Sequence, residues 1–118
     1  LPPPLIVVLG HDECGAVRAA IDCTEEGAEP LPPHIRSLID PIVPAVHRVR
    51  DRQDGDGMPD ATEVGREHLR HTVAGLVEHS ELMSDAVAAG TLAIVGANYR
   101  LLEGMAVPDV VIGDIGRT

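Results

Sequence analysis

The stretch Leu5-Ile-Val-Val-Leu-Gly-His-Asp-Glu-Cys-Gly-Ala-Val17 decides how this chain is read. Five consecutive apolar residues, rich in β-branched types and following a proline run, predict a short strand buried on both faces. The strand ends at Gly10, and His11 and Cys14 follow at once, ahead of Gly15 and a helix-forming run. An imidazole and a soft thiolate three residues apart at a strand tip suit zinc, which takes nitrogen and sulfur donors. The carboxyl ends of parallel strands are also where open α/β sheets hold their ligands. The plainer reading is a tight turn whose His and Cys merely pack.

Working outward, Pro2-Pro3-Pro4 forms an extended lead-in, and Ala16 to Asp22 reads as a helix. Thr24 to Pro33 is a Glu-, Pro- and Gly-rich loop. From His34 to Arg50 the apolar residues Ile35, Leu38, Ile39, Ile42, Val43, Val46 and Val49 fall at helical spacing. Pro41 and Pro44 interrupt that pattern and predict a kink or two short helices. Asp51 to Asp60 is a polar loop, and Asp60-Ala-Thr-Glu63 resembles a capping box opening a helix to about His79. Ser80 caps a further short helix through Ala89, with Gly90 just beyond its end. Leu92 to Gly96 is a second strand, extended past a bend by Tyr99 to Leu102. Glu103-Gly104 forms a tight turn, and Met105 to Ile112 is a third extended segment. Strand, helices, strand is the pattern of an α/β fold with a parallel sheet flanked by helices. At 118 residues it is expected to form a single domain over 1–118. Two buried strands and one hairpin are a thin sheet for so many helices, so further strands are expected from elsewhere.

The net charge of −10 argues against nucleic acid, since binding phosphates needs clustered positive charge. Tyr99 is the sole aromatic residue, which also excludes base-stacking platforms. No apolar run approaches the roughly 20 residues that span a bilayer, and no secretory leader is visible, so the expected location is cytoplasmic. A core without Phe or Trp predicts modest stability in the isolated chain. Cys23 lies in the first helix and is expected to behave as a small buried hydrophobe. The absence of Lys rules out a nucleotide-binding P-loop.

Other metal-like patterns are weaker. His68 and His71 share a helix face but form no H-E-x-x-H, and a solvated face is the plainer reading. His34, His47 and His79 are expected at the surface. Asp51, Asp54, Asp56 and Asp60 fail the calcium-loop register, with Pro59 in place of the required Gly and Gly65 at the twelfth position.

Gly10-His11-Asp12-Glu13-Cys14-Gly15-Ala16-Val17 resembles the second zinc-ligand motif of the β-class carbonic anhydrases. The likeness continues through the interrupted helix from His34 to Val46 and the long helix from His71 to Val87. It ends in Gly90-Thr-Leu-Ala-Ile-Val-Gly-Ala-Asn-Tyr99 and the Glu103-Gly104 turn. It implies reversible hydration of carbon dioxide to bicarbonate (carbonate dehydratase, a lyase) at zinc, in a homo-oligomer of two or more subunits. Carried over residue by residue, His11 and Cys14 are the matching zinc ligands. The family's first ligand Cys, with an Asp and an Arg that order the metal-bound hydroxide, lies in an upstream C-x-D-S-R motif. This sequence contains no C-x-D-x-R, so no catalytic Asp-Arg dyad is identifiable. The implied fold is a β-carbonic-anhydrase-like α/β domain lacking its N-terminal strands. Its isolated chain is expected to be unstable or obligately oligomeric. The alternatives are a non-catalytic binding or assembly subunit retaining part of that fold, and an unrelated small anion-binding α/β protein.

Overall fold

The computed structural model describes residues 4–55, 57–113 and 115. Nine elements follow in order, beginning with strand β1 (Leu5–His11) and helices α1 (Gly15–Cys23) and α2 (Pro33–Ile39). A 3-10 turn (Asp40–Ile42) leads into α3 (Val43–Arg52), α4 (Ala61–Glu78) and α5 (Glu81–Ala88). Strands β2 (Ala93–Arg100) and β3 (Met105–Ile112) are the last elements among the described residues. The expected interruption of the His34–Arg50 helix is present, with Pro41 inside the 3-10 turn and Pro44 in the first turn of α3. Proline fits there because the first amides of a helix have no intrahelical acceptor to lose.

Two compact units divide the chain, one from Asp12 to His68 and the other made of the segment up to His11 with that from Leu69 onward. In the Asp12–His68 unit, Val17, Ala20, Ile21, Ile39, Ile42, Val46 and Val64 form an aliphatic core. Cys23 packs against it half-buried, its Sγ donating to the carbonyl of Ala20 at 3.2 Å. Glu67 of α4 accepts from Arg48 Nε at 2.8 Å and from Arg52 Nη2 at 3.0 Å. Arg48 and Arg52 stand one turn apart on α3, so a single carboxylate binds two cations of that helix.

The other unit contains the sheet, in the order β1-β2-β3. β1 and β2 run parallel, and β3 returns antiparallel to β2. Leu69 and Val73 of α4 pack with Leu92 and Ile94, and Ile6, Val8, Met83, Val87, Val110 and Ile112 join them. One face of the sheet is therefore closed by α4 and α5.

β1 departs from expectation in two ways. It continues through His11 rather than stopping at Gly10. It is also covered on one face only: Ile6 and Val8 turn toward the helices, while Leu5, Val7 and Leu9 are 54%, 55% and 57% exposed. The reason is that alternate residues of a strand point to opposite faces, and among the described residues only the Ile6–Val8 face has helices packed on it. The second strand also runs unbroken from Ala93 to Arg100. The irregularity lies in its pairing with β3, where Gly96 faces Val110 and Ala97 faces Pro108. Asp109 is the extra residue of this bulge, and it receives a two-pronged bond from Arg70 of α4 at 2.7 and 3.0 Å.

The helix caps are only partly as expected. Ser80 Oγ accepts from Met83 N at 3.2 Å, as predicted. Asp60 caps α4 through Thr62 N, but Glu63 turns to Arg66 at 3.2 Å and so does not form the reciprocal bond of a capping box.

Candidate metal centre

The parallel register carries β1 and β2 to a common carboxyl end, pairing Gly10 with Asn98 and His11 with Tyr99. His11 is thus the last residue of its strand, and it is exposed. A Cβ on Gly10 would lie 2.9 Å from Asn98 Oδ1, so the backbone before His11 is packed closely against that amide. The chain then bends through Asp12 and Glu13, and Glu13 takes φ of 52°, in the left-handed region that non-glycine residues rarely adopt. Such an outlier after a strand tip is the kind of local strain found at binding turns.

Cys14 follows as the N-cap of α1, with φ −75° and ψ 118°. Its carbonyl accepts from Arg18 N at 3.1 Å, and its side chain makes no capping bond. The residue is half-buried against the aliphatic core of the helical unit. The amino end of a helix favours negative charge, which is what a metal-bound sulfur carries. His11 and Cys14 are separated by three peptide links, so their α-carbons lie within about 10 Å of each other.

The donor set ends there. Among the described residues no group of three or more His, Cys, Asp or Glu is placed to hold a metal ion. Cys23 is committed to α1 and its core, as its bond to Ala20 shows. His68 is half-buried and His71 exposed on α4, and His34, His47 and His79 are exposed as expected. Asp51, Asp54 and Asp60 build no cation cage, and Asp56 lies outside the described residues. A catalytic zinc uses three protein donors and keeps a fourth position for water. Two donors do not meet that requirement, so the described residues do not by themselves fit a catalytic zinc centre.

Sequence reading missed Tyr99 and Asn98 as neighbours of this turn. Both lay in the Gly90–Tyr99 segment that carries the family resemblance, but nothing in it set them beside His11, because strand register is a property of the folded sheet. No helix among the described residues is long and apolar enough to cross a membrane.

Comparison with known proteins places this geometry in context. A family model described as carbonic anhydrase matches residues 1–106. Carbonic anhydrase 2 of Mycobacterium tuberculosis H37Rv is 42% identical over 113 residues, covering 96% of this chain and 52% of that protein. A carbonic anhydrase of Mycolicibacterium smegmatis is 38% identical over 116 residues, covering 98% and 54%. Among solved structures, one of two tetrameric β-carbonic anhydrases from the ascomycete Sordaria macrospora superposes with a TM-score of 0.71 at 13% identity. That superposition covers 92% of this chain and 54% of the other. The chain spans about half the length of the relatives it matches.

Proposed function

The chain belongs to the β-class carbonic anhydrase family, and on that premise we propose that it serves reversible hydration of carbon dioxide with His11 and Cys14 as zinc ligands. The observation that carries the reading is the H-x-x-C turn at the carboxyl end of the parallel β1–β2 pair. Imidazole and thiolate are zinc donors, and the Gly10–Asn98 contact and the Glu13 turn fix the backbone that presents them. The remaining donor and the groups that order the reacting oxygen come from polypeptide beyond these residues. The proposed activity therefore needs residues besides these 118. The reading carries with it a cytoplasmic homo-oligomer, and the tetrameric Sordaria structures are consistent with the latter.

The test joins this chain to the portion of the M. tuberculosis relative that it does not cover. Carbon dioxide hydration above the buffer blank is expected, and Cys14→Ser is expected to abolish it. A folded, zinc-loaded fusion with no hydration would overturn the proposal. The zinc content of the 118-residue chain itself, compared with His11→Ala and Cys14→Ser, tests the ligand assignment independently of the fusion.

One observation favours a second reading, a non-catalytic assembly subunit. The exposed stripe of Leu5, Val7 and Leu9 lies on an outer strand, where another chain can add to the sheet. Under that reading the fusion folds and associates but stays at the blank.

A further inference from the structure

Asp54 stands apart from the other described aspartates. It lies between α3 and α4, in the polar loop whose calcium register fails, and both it and Gly55 are exposed. Asp22, Asp51 and Asp85 sit within helices, Asp109 is held in β3 by Arg70, and Asp40 precedes a proline, which has no amide proton. Asp12 and Asp60 precede residues that carry a side chain, and Asp60 is engaged by Thr62 N. Among the described residues only Asp54 combines an unengaged carboxylate, a place outside helix and strand, and a following glycine. The Gly55 amide donates to no described residue, its φ is 89°, and a Cβ there would meet nothing within 4 Å. That nitrogen is uncommitted and open to approach.

We infer that the link from Asp54 to Gly55 is a backbone modification site, at which the folded chain converts aspartate to isoaspartate. The Gly55 nitrogen attacks Cγ of the Asp54 carboxyl group and an N–Cγ bond forms. The hydroxyl of that carboxyl group leaves with the amide proton as water, closing a succinimide ring. Water then adds at the main-chain carbonyl carbon of Asp54, and the bond from that carbon to the Gly55 nitrogen breaks. The main chain now runs through Cβ and Cγ, with the α-carboxylate as its side group. The water lost equals the water gained, no electrons are transferred and the mass is unchanged. Glycine favours the attack because no Cβ crowds its nitrogen.

The change adds one carbon to the main chain between two helices that are joined by other means. Val46, Val49 and Val64 share a core, and Glu67 of α4 binds Arg48 and Arg52 of α3. Surface connections of this kind tolerate small changes of length. The contact given up is the 2.6 Å bond from Gln53 Nε2 to the Gly57 carbonyl, which spans the modified link. The modified chain therefore stays folded and accumulates. Its new α-carboxylate is the group that isoaspartyl methyltransferases accept, so an enzyme of that class is the partner this loop fits.

The experiment incubates the folded 118-residue chain at neutral pH and body temperature for several weeks, beside a synthetic peptide of residues 53–66 as an unstructured reference. Only chain that still elutes as the compact species is digested with trypsin, which releases the same Gln53–Arg66 segment. Isoaspartate is counted by methyl transfer from labelled S-adenosylmethionine and located by electron-transfer fragmentation. Conversion at Asp54 is expected within an order of magnitude of the peptide's rate, with circular dichroism unchanged. Asp54→Glu should remove most of the methyl acceptance, because glutamate would need a larger ring. Asp54→Asn should speed ring closure by an order of magnitude or more, ammonia leaving in place of water. A compact chain that converts more slowly than that range overturns the proposal, since the loop then holds the link. Isoaspartate located at Asp56 alone overturns it, as does methyl acceptance unchanged by Asp54→Glu.

Discussion

Gly96 is a residue whose missing side chain is filled by its neighbours. A Cβ there would stand 2.7 Å from Val110 Cγ1, 2.9 Å from Val73 Cγ2 and 3.3 Å from Leu69 Cγ. All three belong to the packed face between α4 and the sheet, and no flexible side-chain end is available to yield. Gly96→Ala is expected to cost about 1–3 kcal/mol by overpacking, read as a lower melting temperature. Adding Val110→Ala should return part of that loss, because the two sites are in direct contact. If the double variant is less stable by the simple sum, the clash is not the cause. Glu67 gives a second residue-scale expectation. Burial raises its pKa, but the hydrogen bonds and charges of Arg48 and Arg52 outweigh burial and hold the carboxyl below its usual range. A depressed folded pKa adds stability that is complete above the unfolded value near about 4.3 and is lost as pH falls through the folded value. Glu67→Gln should therefore flatten that acid limb in denaturant titrations. It should cost roughly 1 kcal/mol at neutral pH, since both arginines are partly exposed and screened by solvent. An unchanged acid limb would assign the sensitivity to other carboxylates.

At the scale of elements, the bulge in β3 does what regular alternation would not. Val110 faces Gly96 and the helices, so in an unbroken strand Asp109 would face away from them. The extra residue lets Asp109 reach Arg70 on α4, tying the outer edge of the sheet to the helix that covers it. Arg70→Ala or Asp109→Asn is expected to destabilise the chain by about 1 kcal/mol, with a larger effect at low salt. Equal losses at low and high salt would point to packing instead. The segment Met105–Ile112 was legible as extended from its composition, and Pro108 suits an outer strand. The bulge was not legible, because no residue in that run demands it. The helix interruption at Pro41 and Pro44 was legible for the opposite reason: proline acts on its own backbone wherever it sits. Glu63 shows the limit of local signals, since the capping pattern is present and Arg66 draws the carboxylate away.

For the molecule as a whole, the decisive fact hidden from the sequence was that β1 is covered on one face only. A run such as Leu5–Leu9 has the same composition whether its second face is covered or open. The candidate ligands His11 and Cys14 were picked out by residue type and spacing, and their assignment is the proposal made above. The strand residues set beside it by register, Asn98 and Tyr99, were not. Replacing Leu5, Val7 and Leu9 with Thr, Thr and Gln should lower concentration-dependent light scattering of the metal-free chain. Because these side chains are exposed, each change should shift stability by no more than about 0.5 kcal/mol. A large drop in melting temperature would mean that the stripe is covered in solution. The composition leaves a final consequence. With no Trp or Phe and a single Tyr, all intrinsic fluorescence of this protein comes from Tyr99, which the register sets beside His11. The chain thus carries a built-in optical reporter at the strand tip. Under the proposed ligand assignment its emission should be quenched by added Co(II), and His11→Ala should abolish that quenching.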